Sequence, residues 1–478
     1  MVKILKNKWL WGGAAILAIV AFLFCTDTGR RFNHDTMAMG AGVGAKLACS
    51  GIYLMGRDPD EVVKRDLRPF MDPLLKSARF EFDAEKQTAT ATMWGLVTRT
   101  ALYRPGVGCT IMIDTDRAEL LAQAEGIKDD PRDHRPAEWP AGDVVTLDQR
   151  AADIDWQQLD KAIDGAFEDT TENKTIDTRA ILVVYDGKII AERYADGFND
   201  RSRFLSWSAS KSVASALIGT LVSDGKLGLH DPAPIAEWSS EDDPRHEISL
   251  HHLLTMTSGL EFVEHPYSPG NDSVVMLFEK AKMGEYAANK PLFKTPGTFW
   301  AYSSGTTNLL SRILFDQLGG SLKLVHDYSW ARFFKPAGMT SAIFETDAAG
   351  AHVGSSSFYA TAQDWARFGL LFLNEGRMGD QQVLSKEWVA YSHRLTPLAP
   401  KGMYGAQFWL NGGHPSGEGG LMMPDCPKDL YMANGFNGQH IAIVPSKNAV
   451  VVRLGWTNGA RFDTNKYFSE ILKAIPTQ

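Results

Sequence analysis

Cysteine is scarce: four residues, at positions 25, 49, 109 and 426, in a chain of 478. That is too few for a disulfide scaffold, and the wide spacing excludes the close pairs of a structural zinc site. Positive charge is short as well, with 49 Lys and Arg against 57 Asp and Glu and a formal net charge of −8. Lacking any basic block, the chain cannot neutralise many phosphates, so nucleic acid is not an expected partner. Internal repeats are missing, and the composition excludes both a polytopic membrane protein and a largely disordered one. What is there suits a globular fold: 44% hydrophobic and 22% charged residues, the balance of chains that bury a core. At about 100–200 residues per domain, the length predicts two or three domains.

The amino terminus reads Lys3, Lys6 and Lys8, then an apolar run from Trp9 to Cys25, then Arg30-Arg31. The run is at the short end of what crosses a bilayer, and its terminal position and basic leader argue against a buried core helix. Basic residues before the run predict export of the rest of the chain. Phe22-Leu23-Phe24 stands where a cleavage site needs small residues, so an inner-membrane anchor is favoured over a cleaved signal, and the expected location is periplasmic. Export permits disulfides; Cys49 and Cys109 either pair or are buried free thiols, and Cys426 has no evident partner.

Residues 1–31 therefore form an anchor or signal segment, and 32–149 an accessory region and connector. In the latter, Ala78 to Asp83 and Thr88 to Met93 alternate apolar with polar residues and predict short strands, while Pro131, Pro136 and Pro140 mark the connector. A second unit spans 150–478. Ala180 to Tyr185 and Lys188 to Tyr194 flank Asp186-Gly187, a strong hairpin signal. His440 to Val444 and Ala449 to Leu454 form a matching pair near the other end, followed by an amphipathic helix over Tyr467 to Ile475. Helical patterns such as Leu309–Leu318 and Ala362–Leu373 lie between. The expected fold is α+β: an antiparallel sheet assembled from distant parts of the chain, flanked by helices, with a mainly helical subdomain.

The segment Ser206-Trp-Ser-Ala-Ser-Lys-Ser-Val-Ala-Ser-Ala-Leu-Ile-Gly carries the chemistry. Ser208 and Lys211 are three apart at the start of a predicted helix, so they share one face. A serine hydroxyl needs a neighbouring base, and a lysine becomes one when burial or nearby positive charge lowers its pKa. Helix N–H groups add stabilisation of an oxyanion. Alone the pattern is weak, because an N-cap serine beside a surface lysine looks the same. A second copy, Ser223-Asp-Gly-Lys226, straddles a glycine at the helix end.

Context comes from an ordered set: Asp224-Gly-Lys-Leu-Gly-Leu-His-Asp-Pro232, His252-Leu-Leu-Thr-Met-Thr-Ser-Gly-Leu260, Pro296-Gly-Thr-Phe-Trp-Ala-Tyr302-Ser-Ser304, Thr361-Ala-Gln-Asp-Trp-Ala-Arg-Phe-Gly369 and Gly435-Phe-Asn-Gly-Gln-His-Ile-Ala-Ile-Val-Pro445. With Ser208-x-x-Lys211, these resemble the serine β-lactamase and penicillin-binding-protein superfamily over about residues 150–478. The branch they most resemble is the class C-like one of esterases, D-aminopeptidases and 6-aminohexanoate-oligomer hydrolases. The resemblance implies Ser208 as acylated nucleophile, Lys211 as its proton partner and Tyr302 as the second-motif tyrosine, with no metal or cofactor. It implies main-chain oxyanion donors at Ser208 and, opposite it, Phe436.

Two departures bear on the substrate. Ser304 replaces the usual asparagine at a substrate-binding position, and a hydroxyl cannot offer both a carbonyl and an NH2. The Lys-Thr-Gly or His-x-Gly motif is absent; in its place stands Met432-Ala-Asn-Gly-Phe-Asn-Gly-Gln439, with no Lys or His before the glycine to help bind a penicillin carboxylate. The implied reaction is hydrolysis of a small linear amide or ester through an acyl-enzyme. The alternatives are a β-lactamase or D,D-peptidase, and a non-catalytic binding protein on the same fold. Trp300 and Trp207 are candidate cleft walls. His251-His252 has poor metal-ligand spacing, Gly354-Ser-Ser-Ser-Phe358 lacks the last glycine of a nucleophile elbow, and His440 is expected to be a core or edge residue.

Overall fold

The computed structural model describes residues 27–70, 75–128, 135–147, 153–168, 176–264, 271–417, 419–457 and 462–477. The apolar run Trp9–Cys25 lies outside these residues. The chain divides into two compact units, Met1–Leu102 and Tyr103–Gln478.

In the first unit, helix α1 (Asp27–Cys49) covers an antiparallel meander of β1 (Ala78–Asp83), β2 (Thr88–Met93) and β3 (Val97–Arg104). The two alternating segments are thus strands with the bounds their pattern predicts. Ala38, Ala41, Ala45 and Ala48 lie on one face of the helix, which is buried nearly all round from Met37 to Cys49. Gly44 allows the close approach: a Cβ there would lie 3.0 Å from the Phe80 ring. His34–Leu54 is long and apolar enough to cross a membrane by length and composition, but 83% of its most apolar window is buried within the protein. Cys49 and Cys109 are both disulfide-bonded, which overturns the free-thiol alternative, whereas Cys426 is a buried free thiol.

The second unit is built on a six-stranded antiparallel sheet. Its strands are β4 (Thr178–Tyr185), β5 (Lys188–Tyr194), β6 (Trp409–Leu410), β7 (Tyr431–Gly435), β8 (Gln439–Val444) and β9 (Ala449–Gly455), in the spatial order β6-β7-β8-β9-β4-β5. Asp186 and Gly187 both take positive φ, +47° and +71°, which closes the β4–β5 hairpin with the twist its strands need. The two hairpins join edge to edge, with Val183 opposite Val451 and Ile181 opposite Arg453.

Alternate residues supply the cores on either side. Leu182, Val184, Ile443, Val450 and Val452 enter one cluster, and Ile181, Val183, Ala442, Val444 and Val451 the other. Each such Val, Leu or Ile side chain contributes about 1.5–3 kcal/mol on burial. Doubling a loop costs only about 0.6 kcal/mol, so this burial outweighs the added cost of pairing strands far apart in sequence.

Helices α2 (Trp156–Phe167), α3 (Ser210–Ser223), α4 (Ser304–Gln317), α5 (Ala362–Leu373) and α6 (Thr464–Lys473) complete the frame. Helices α2 and α6 pack together over one face of the sheet, and α5 lies on the other against β9, β8 and β4. Helices α3 and α4 pack on each other within the mainly helical part. The expected α+β architecture is the one found.

Candidate active site

A short 3-10 turn, Trp207–Ala209, leads into α3. Ser208 sits on this turn and Lys211 in the first turn of α3. Ser210 to Leu221 are buried, which removes Lys211 from water. Trp207 has φ +44°, a left-handed conformation that costs a non-glycine residue about 1–2 kcal/mol. Its ring is held edge-on to Phe436 at 5.7 Å and beside Trp456 at 6.0 Å. The strained turn presents the half-buried Ser208 hydroxyl, while Lys211 behind it is 1% exposed.

Lys211 Nζ lies 3.2 Å from Ser208 Oγ, 3.0 Å from Ser304 Oγ and 2.9 Å from the Ser355 carbonyl oxygen. It is also 5.0 Å from the centre of the Tyr302 ring. Burial pushes its pKa down to about 8, against a smaller upward pull from the Glu264 charge. Tyr302 stands beside the Ser208 hydroxyl; burial, then the Glu264 charge, pushes the phenol well above its ordinary value, so it stays protonated. Around it stand Tyr404 at 5.9 Å and Trp409 at 5.5 Å, and Trp300 packs on Tyr404 at 5.6 Å. Ser208, Lys211, Tyr302 and Ser304 therefore meet. Trp300 stands in the aromatic wall behind Tyr302, and Trp207 lies beneath Phe436.

Helix α4 begins at Ser304, with Ser303 as N-cap accepting from the Thr306 N–H. Ser304 is 3% exposed. Its N–H and its hydroxyl both donate to the Glu264 carboxylate. A carboxylate suits this place, because the first N–H groups of a helix lack partners within it and carry partial positive charge. Burial pushes the Glu264 carboxyl up, while Lys211 and the two Ser304 bonds pull it back.

Strand β7 closes the other side. A Cβ on Gly435 would lie 2.0 Å from the Ser206 carbonyl oxygen and 3.1 Å from the Ala209 nitrogen, so the strand end abuts the backbone that carries Ser208. Phe436 follows at once, its ring 54% exposed.

Two participants escape the sequence. Glu264 carries no motif signal in Glu261-Phe-Val-Glu264. The Ser355 oxygen is a main-chain atom in Gly354-Ser-Ser-Ser357, and Gly354 O likewise accepts from Ser210 Oγ at 2.8 Å. His252 accepts the Ser249 N–H in a capping box, and His251 pairs with the Tyr391 hydroxyl at 2.8 Å. His440 is a core residue between Phe462 and Phe468.

The sequence profile of a family described as Beta-lactamase matches residues 163–470. The 6-aminohexanoate-dimer hydrolase of Paenarthrobacter ureafaciens is 25% identical over 367 residues, covering 70% of this chain and 82% of its own. Esterase EstB of Burkholderia gladioli is 26% identical over 183 residues, 34% of this chain and 46% of its own. A solved structure of a putative 6-aminohexanoate-dimer hydrolase from Bacillus anthracis superposes with a TM-score of 0.52 at 22% identity. It covers 63% of this chain and 81% of that one.

Proposed function

The chain belongs to the beta-lactamase family, and from that premise we propose that it is a serine hydrolase that cleaves small linear amides or esters through an acyl-enzyme on Ser208. The observation that carries the reading is the convergence of Ser208 Oγ, a buried Lys211 amine 3.2 Å away and a protonated Tyr302 phenol on one point. Lys211 in its neutral form takes the Ser208 proton as Oγ attacks the carbonyl. The N–H groups of Ser208 and Phe436 hold the oxyanion. The bond to the leaving nitrogen or oxygen breaks, and that atom gains a proton donated by the Tyr302 phenol and replenished from Lys211. Water repeats the cycle on the acyl ester, releasing the acid.

The lack of a Lys or His before the glycine in Met432–Gln439 favours acyl groups without a penicillin-type carboxylate, and the relatives' names direct attention to aminohexanoate-type amides and simple esters. The basic leader and apolar run before residue 27 support export with an inner-membrane anchor. A panel of p-nitrophenyl esters, linear ω-amino-acid amides and β-lactams tests the activity, with fluorophosphonate labelling of Ser208 run beside it. Ser208→Ala is expected to abolish labelling and turnover with the melting temperature kept. Labelling without turnover of any substrate class would instead support a binding protein.

A further inference from the structure

Lys211 faces three oxygens, and its proton count decides which can receive its lone pair. As an ammonium it has three N–H donors for Ser208 Oγ, Ser304 Oγ and Ser355 O. As the neutral amine a base requires, it keeps two N–H donors and one lone pair. The Ser355 carbonyl has no proton, so it always takes one N–H. The second N–H and the lone pair fall to the two serines, and their order is undetermined unless one hydroxyl proton is already spent.

Glu264 spends it. Its two oxygens accept from the Ser304 N–H and the Ser304 hydroxyl, so Ser304 Oγ can only accept from Lys211. The lone pair then has one oxygen left to face, Ser208 Oγ. The segment bearing Glu264 is fixed for this task. Val263 and Asp272 exchange two bonds, Val263 N–H to Asp272 Oδ2 and Asp272 N–H to Val263 O, each 2.8 Å. The Phe262 ring packs where a Cβ on Gly305 would lie 2.4 Å from it. The charged groups felt by Glu264 are Lys211 and, more weakly, Asp272.

We infer that Glu264 is a positioning residue for acylation, acting through Ser304 to aim the Lys211 lone pair at Ser208. This rests on Ser208 being the nucleophile. Glu264→Gln is the informative change, since an amide offers one acceptor and one donor where two acceptors are needed. The backbone N–H of Ser304 cannot reverse, so the amide oxygen meets it and the NH2 meets Ser304 Oγ. Ser304 must then donate to Lys211 and capture the lone pair.

The test compares wild type, Glu264→Gln, Ser304→Ala and the double variant, each checked for an unchanged melting temperature. It measures the rate of Ser208 labelling by a fluorophosphonate, and kcat and KM on a p-nitrophenyl ester. Glu264→Gln should lower labelling and kcat about a hundredfold with KM little changed. Its residual activity should have an acid limb shifted to lower pH, because the negative charge near Lys211 is gone. The double variant should be no slower than Ser304→Ala. Labelling of Glu264→Gln within threefold of wild type, or losses that multiply in the double variant, would overturn the inference while leaving Ser208 as nucleophile. Failure of the wild type to label at Ser208 would overturn both.

Discussion

Gly435, the last residue of β7, abuts the carbonyl oxygen of Ser206 so closely that a methyl group on it would lie 2.0 Å from that atom. The contact brings two stretches more than 200 residues apart in sequence to opposite sides of one hydroxyl. A glycine here serves approach and has no turn to make, so a side chain should act first on the site. Gly435→Ala is expected to push the strand end from the Ser208 turn, lowering turnover at least tenfold and stability by about 1–3 kcal/mol. Gly225, past the end of α3, has φ +70° and nothing within 4 Å of a built Cβ. Gly225→Ala should therefore cost only backbone strain, with kcat unchanged. Equal kcat in the two variants would mean that the β7 contact does not shape the site.

The pH dependence of acylation should follow Lys211. With its pKa pushed down to about 8 by burial, the fraction of neutral amine rises tenfold per unit below that value and levels above it. Stopped-flow labelling of Ser208 between pH 6 and 9 should give a single acid limb with a midpoint near 8. A flat profile across that range would exclude Lys211 as the base.

The same shift has a stability consequence of definite sign. Below about pH 8 both folded and unfolded chains hold the Lys211 proton, and the folded state bears the full cost of a buried cation. Between about 8 and the ordinary value of 10.5 the folded chain has lost the proton and the unfolded chain keeps it. Stability therefore rises with pH by up to about 3 kcal/mol across that window. Lys211→Met has no titrating amine at this place and should be inactive. Urea melts of both proteins from pH 7 to 10 should show the wild type gaining relative to the variant as pH rises; a constant difference would contradict the burial effect.

Cysteine accessibility offers a chemical check on the fold. Alkylation of the denatured, unreduced protein should modify Cys426 and leave Cys49 and Cys109 unmodified, and prior reduction should expose both. Modification of Cys49 and Cys109 without reduction, read by mass spectrometry, would contradict the bonded state.

Whatever depends on neighbours along the chain could be read from residue order alone. The alternation of Ala78–Asp83 and Thr88–Met93, the Asp186-Gly187 turn and the periodicity of Ala362–Leu373 each encode a local backbone state, and each element formed where its pattern said. Ser208 and Lys211 stood out because a hydroxyl and an amine three residues apart share a helical face, whereas Tyr302 was reached only through the family resemblance.

How their protons are arranged was settled by packing between distant segments. Glu264 reaches Ser304 across 40 residues, Ser355 contributes a carbonyl that every residue type possesses, and Gly435 meets a backbone oxygen rather than a side chain. Such contacts leave no periodicity and no motif, since hydrogen-bond direction depends on which atoms face each other after the chain has packed. The same holds for the Lys211 amine, whose pKa is lowered, and whose neutral form is made accessible, by burial among residues that its own segment does not name.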